Sequence, residues 1–169
     1  LFCFLVWLSL RDDPKHTLKF YGLDKQTGKI LWERIAYEGV PKVKRHPKST
    51  HADSTPATDG THVIALFGSH GLYAYDLNGK LLWKQDLGVL DAGWFYDPDY
   101  QWEYGASPII YKNTVIVQAD IQKNSFIAAY DIKNGKRLWL TPREEVPSWS
   151  TPTVYEGNNR AELRNNRSK

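Results

Sequence analysis

Apolar and polar positions in this chain alternate over short runs. His62–Phe67, Leu72–Leu77, Thr114–Gln118 and Phe126–Ile132 are alternating or β-branched stretches, a pattern that reads as β-strands. Turn residues separate them. Asn78-Gly79 and Asn134-Gly135 are hairpin dipeptides, because both residue types tolerate positive φ. Thr27-Gly28 does the same with glycine alone. No window carries a helical period bounded by caps. The pattern predicts an all-β chain.

The turns belong to a repeat. Tyr21-Gly-Leu-Asp24-Lys-Gln-Thr27-Gly28-Lys29-Ile-Leu-Trp32 aligns with Tyr75-Asp76-Leu-Asn78-Gly79-Lys80-Leu-Leu-Trp83 and with Tyr130-Asp131-Ile-Lys-Asn134-Gly135-Lys136-Arg-Leu-Trp139. The steps from Gly28 to Gly79 and from Gly79 to Gly135 are 51 and 56 residues. A second marker recurs between these segments: Ser54-Thr55-Pro56, Ser107-Pro108 and Ser150-Thr151-Pro152. Two interleaved markers at this period fit the four-stranded blade of a β-propeller better than a helical solenoid.

One blade is expected to run Thr55–Thr58, His62–Phe67, Leu72–Leu77 and Lys80–Gln85, and the next Ser107–Tyr111, Thr114–Gln118, Phe126–Ile132 and Lys136–Leu140. Each proline sits at a strand start, where a missing N–H does no harm. The expected fold is a propeller fragment of four-stranded antiparallel blades, two complete and two partial. The partial blade spans 1–35, the complete blades 54–87 and 106–140, and the start of the next 150–163. The repeats thus cover 1–155, and the polar tail 164–169 is expected to be disordered. The apolar stretch Leu1–Leu10 is read as a strand pairing with Leu18–Leu23. A signal-peptide remnant is the alternative, and ten residues are too few to span a bilayer. A start at Leu1 without any Met reads as an internal or processed fragment.

At these residues the sequence resembles the PQQ-like (pyrroloquinoline-quinone repeat, quinoprotein-like) β-propeller repeat family. The family hallmark, A-x-D-x-x-T-G-K-x-x-W, is matched by Asp24, Thr27, Gly28, Lys29 and Trp32. Asp76, Gly79, Lys80 and Trp83 match with one turn residue deleted. Asp131, Gly135, Lys136 and Trp139 match with Asn134 in place of Thr. The resemblance implies that Trp32, Trp83 and Trp139 dock blades together against Gly28, Gly79 and Gly135. It also implies a periplasmic or secreted protein. Some members are dehydrogenases holding PQQ and Ca²⁺, and others are cofactor-free scaffolds. The adjacent cysteine pair of methanol-dehydrogenase-type members is absent here, since Cys3 is the single cysteine. The chain itself therefore supports no cofactor, although PQQ and Ca²⁺ remain open for a longer parent protein.

Charge narrows the partners. The net charge of +3 resides in Arg160–Lys169, which holds four basic residues and one acid, so residues 1–159 balance. A body without net charge speaks against nucleic-acid binding. The aromatic content is high, with seven Trp, ten Tyr and six Phe, which suits strand packing and wet binding rims.

Candidate chemistry falls in the long connections between blades. Ala36–Asp53 carries Lys44, Arg45, His46 and His51, a cationic set suited to a carboxylate or phosphate. Gly88–Gly105 carries Asp91, Trp94, Asp97, Asp99, Trp102 and Glu103. Aromatic faces beside carboxylates suit a sugar or peptide, and the acids can offer oxygens to Ca²⁺, although no metal site is assigned. Thr141–Trp149 carries Arg143, expected to pair with Glu144 or Glu145. No nucleophile–base–acid set, phosphate-cradling loop or zinc spacing occurs. The sequence therefore points to a non-catalytic binding or scaffold propeller with a protein, small-molecule or glycan ligand on its loop face. A quinoprotein dehydrogenase fragment and a carbohydrate-binding surface are the alternatives. Further blades are needed to close a ring.

Overall fold

A computed structural model describes residues 2–9, 14–94 and 96–165. The chain is a stack of antiparallel sheets. Three strands come first: β1 (Phe2–Ser9), β2 (His16–Leu23) and β3 (Ile30–Gly39). The first complete blade is β4 (Ala57–Thr58), β5 (His62–Leu66), β6 (Leu72–Asp76) and β7 (Leu81–Gln85), paired in sequence order. A small hairpin follows, β8 (Gly93–Trp94) with β9 (Asp97–Gln101). The second blade is β10 (Ile109–Tyr111), β11 (Thr114–Ala119), β12 (Phe126–Asp131) and β13 (Arg137–Pro142). The hairpin β14 (Thr153–Glu156) and β15 (Ala161–Arg164) comes last. The fold is a β-propeller fragment with two complete and two partial blades.

Three details differ from the sequence reading. The first long connection is shorter than expected, because β3 continues to Gly39. The second holds the β8–β9 hairpin rather than plain loop. The polar tail expected from residue 164 begins later, since Arg164 pairs with Thr153 in β15; residues 166–169 of that tail lie outside the described residues. The apolar start does form a strand, with Phe2–Ser9 paired along the whole of β2.

Period-2 alternation gives each blade two apolar faces. Val63, Ala65 and Phe67 pack toward Leu18, Phe20 and Trp32 of the first sheet. Ile64 and Leu66 face the other way, toward Val115, Val117 and Ala128 of the second blade. Ile116, Ile127 and Ala129 in turn meet Val154 and Leu163 of the last hairpin.

The repeat markers bind one sheet to the next. In each hairpin turn the aspartate side chain holds the backbone: Asp24, Asp76 and Asp131 accept turn N–H groups at 2.8–3.1 Å. The turn glycines have φ of +70° to +75°. Trp32 lies against Gly79 so closely that an added Cβ would sit 2.6 Å from the ring. Its indole N–H donates to the Leu77 carbonyl at 2.9 Å. Arg34 adds a 2.6 Å bond to the Gly79 carbonyl. Trp83 repeats the arrangement on Gly135, with its N–H 2.7 Å from the Ile132 carbonyl. Trp32 and Trp83 are thus each seated on a hairpin glycine of the following repeat. Trp139 is 41% exposed, and Gly28 has nothing within 4 Å of an added Cβ.

The Ser/Thr-Pro marker forms a second, polar ladder. Ser54 Oγ donates to the Ala106 carbonyl, Thr55 N–H to Ser107 Oγ, and Ser107 N–H to Thr151 Oγ1, at 2.8–3.0 Å. Hydroxyls of one repeat satisfy backbone groups of its neighbour that would otherwise be left unpaired.

Candidate functional site

The three long connections converge on one face and interlock. His46, on the first, stacks on Trp102 of the second at 4.0 Å and 20°. Its Nδ1 accepts the Lys48 N–H, which leaves Nε2–H to donate to Tyr100 Oη at 2.7 Å. His51 Nδ1 lies 2.6 Å from Glu103 Oε2, with both side chains buried. Trp149, on the third connection, donates its indole N–H to the Glu103 carbonyl at 2.8 Å. Glu103 therefore ties all three connections together. Its φ of +75° is unusual for a residue with a Cβ.

Burial sets the protonation of this centre. It pushes the Glu103 carboxyl up to about 8. Burial, aided by the Arg45 charge, pushes His51 down to about 4. Burial also lowers the neighbouring His70 to about 4. At neutral pH one proton is held between Glu103 and His51, and the pair carries no net charge. His16 and His70 flank His51 at 5.5 Å between ring centres. His70 Nε2 accepts the Lys42 N–H at 3.2 Å.

Arg143 belongs to a second buried centre. Its Nε donates to Asp120 Oδ1 at 2.6 Å, and its Nη2 also forms an ion pair with Glu145 Oε1 at 4.0 Å. The expected partner Glu145 is thus joined by a shorter contact, Asp120, which also accepts from Gln118 at 2.8 Å and from Ser148 at 2.8 Å. A buried carboxylate takes the arginine because water there cannot stabilise it.

Two cavities open on this face. A cationic one, of about 550 Å³, is lined by His16, Lys42, Lys44, Arg45 and His51, with Pro41, Val43 and Pro47. An aromatic one, of about 350 Å³, is lined by Lys48, Ser49, Asp53, Trp94, Trp102 and Trp149. Of the residues singled out from sequence, Lys44, Arg45 and His51 share the first cavity and Trp94 and Trp102 the second. Asp91 lies apart from both linings, its carbonyl accepting the Gln122 N–H at 3.0 Å. Asp97 is exposed on β9, and the Asp99 side chain lies outside the described residues. Sequence reasoning missed His16, His70, Asp53 and Asp120 as members of these centres. It placed Trp149 on the third connection without assigning it to a cavity.

A family model described as outer membrane protein assembly factor BamB matches residues 17–160. The chain belongs to the PQQ-like β-propeller repeat family. Sequence comparison with curated proteins finds no match. Solved structures similar to this PQQ-like chain include BamB from Moraxella catarrhalis, at 18% identity and a TM-score of 0.51, covering 85% of this chain and 38% of that one. Quinohemoprotein alcohol dehydrogenase from Comamonas testosteroni matches at 19% identity and a TM-score of 0.51, covering 77% and 20%. A europium-containing methanol dehydrogenase matches at 17% and 0.50, covering 77% and 23%. At these identities the likeness is one of fold. The PQQ-like chain spans between a fifth and two fifths of these structures.

The residues present do not fit PQQ with Ca²⁺. Among the described residues no three His, Cys, Asp or Glu side chains converge to hold a cation. The best-placed acids are committed, Glu103 to His51 and Asp120 to Arg143. Cys3, the single cysteine, packs at the edge of the first sheet's core, and burial pushes its thiol up to about 11. Among the described residues no helix is long and apolar enough to cross a membrane.

Proposed function

We propose that this chain is part of a non-catalytic binding or scaffold β-propeller, periplasmic or secreted, that engages its ligand through the connections on one face. The observation that carries this reading is the fate of the titratable candidates. Glu103, His51 and Arg143 lie buried in pairs, whereas Trp94 and Trp149 are half-exposed. A general acid or base must reach a substrate proton, but a binding face needs only rigid, pre-placed surface. The family description, that of an assembly factor, supports a scaffold role. The body's balanced charge supports protein or neutral small-molecule partners over nucleic acid.

The test has two arms. The full chain is incubated with PQQ and Ca²⁺, and quinone absorbance and dye reduction are followed with alcohols and sugars. Turnover there would overturn the reading. In parallel, its Tm is measured with a peptide from a β-barrel outer-membrane precursor and with neutral oligosaccharides. A rise with one class, lost when Trp94 and Trp149 are replaced by Ala, is expected. No rise with either class defeats the reading.

A further inference from the structure

We propose that the chamber lined by Trp94, Trp102 and Trp149 is a binding site for a neutral oligosaccharide. This rests on the binding-face reading above and specifies its ligand.

The chamber's volume of about 350 Å³ lies in the range of small-molecule sites. Trp94 and Trp149 are 49% and 43% exposed. An indole buries a large apolar area when packed away, so half-exposed rings gathered in one concavity are unfinished surface. Nor are the rings loose. Trp102 is covered on one face by His46, whose two nitrogens are both engaged. Trp149 is fixed by its bond to the Glu103 carbonyl and by close approach to Gly105, where an added Cβ would lie 3.3 Å from the ring. Trp94 meets Tyr96 edge-on at 5.2 Å. Rigid rings lose little freedom on binding.

The polar part of the lining selects the ligand. Asp53 holds its carboxylate between the Ser49 and Thr50 hydroxyls, each at 2.6 Å. The Thr50 N–H is shared by both carboxylate oxygens at 3.3 and 3.4 Å, which leaves the carboxylate about one of its four acceptor sites, and Ser49 Oγ keeps acceptor capacity too. Lys48 supplies donors on the same wall. One cation and one anion leave the lining without net charge. An anion would find three cationic side chains in the neighbouring cavity instead. A ligand with flat C–H faces and hydroxyls that both donate and accept matches indoles bordered by Asp53, Ser49 and Lys48. That chemistry is a pyranose chain.

The full chain is titrated with hexasaccharides of β-1,4-glucose, α-1,4-glucose and β-1,4-N-acetylglucosamine, by tryptophan fluorescence and calorimetry. Saturable binding to at least one is expected. Trp94→Ala and Trp149→Ala should each weaken it at least tenfold with an unchanged urea midpoint for Trp94→Ala. Trp139→Ala, which removes an equally exposed indole on β13, should leave it intact. No saturable binding to any of the three, or binding indifferent to both chamber variants, overturns the proposal. If the precursor peptide binds in a Trp94-dependent way and no sugar does, the carbohydrate assignment fails while the binding face stands. PQQ-dependent dye reduction would remove both.

Discussion

Three glycines with nearly the same backbone and different surroundings provide an internal measurement of blade docking. Gly28, Gly79 and Gly135 have φ of +70°, +75° and +71°. Alanine at any of them meets the left-handed penalty, roughly 1–2 kcal/mol. At Gly28 that is the whole cost, since an added Cβ meets nothing within 4 Å. At Gly79 and Gly135 the Cβ would lie 2.6 and 2.7 Å from the indole of Trp32 or Trp83. The ring must retreat by about 1 Å to reach ordinary contact, which forfeits a quarter to a half of its dispersion at that face. The retreat also stretches the indole N–H bonds of 2.9 and 2.7 Å, each worth about 1 kcal/mol. Overpacking of this kind costs about 1–3 kcal/mol. Gly79→Ala and Gly135→Ala should therefore be about 2–3 kcal/mol worse than Gly28→Ala. Urea unfolding of the 169-residue chain, followed by far-UV circular dichroism, gives these differences from midpoints at constant slope. In a Trp83→Ala background, Gly135→Ala should cost no more than Gly28→Ala does. Equal losses at all three glycines, or no coupling between Trp83 and Gly135, would refute the docking argument.

The same logic applies to the tryptophans: Trp83→Ala should destabilise by about 3–5 kcal/mol, and Trp139→Ala, already 41% exposed, by under about 1 kcal/mol, as read from urea midpoints. Arg143→Ala strands the buried Asp120 and should cost about 3–5 kcal/mol in the same assay. Stability should peak near pH 6.5. Above it, folded Glu103 keeps a proton up to about 8 that the unfolded chain has lost above 4.5, so stability falls by about 1.4 kcal/mol per pH unit. Below it, His51 and His70, lowered to about 4 from 6.5, bind protons only when unfolded, and the two outweigh the opposing gain from Glu103. Urea midpoints across pH 5 to 8 should show both limbs, and Glu103→Gln should flatten the alkaline one.

Strand identity was legible because it is local. Alternation in His62–Phe67 and Phe126–Ile132, and glycine at Gly79 and Gly135, needs no knowledge of distant residues. The centres on the loop face were not legible, because their partners lie far along the chain. His51 and Glu103 are 52 residues apart, Ser54 and Ala106 also 52, Trp149 and Glu103 46. Those separations are close to the repeat period itself. In a stack of blades, a residue meets what lies one repeat away, so the period that revealed the fold also held the contact rule for its loops. Arg143 combines a local and a distant partner. Glu145, a nearby acid in sequence, lies 4.0 Å from its guanidinium. Asp120 is 23 residues away and has no local mark beyond following an apolar strand.

The direction of docking matters while the chain is being made. Trp32 and Trp83 are each received by the hairpin of the following repeat, never the preceding one. A ribosome adding roughly 5–20 residues per second needs roughly 3–10 s to supply the 51 or 56 residues between successive hairpin glycines. For that interval the newest blade has strands but no cover, with Trp83, Ile64 and Leu66 still facing water. Such a nascent chain advances with one open, sticky end, and a chaperone that shields a single sheet face would be enough to carry it forward.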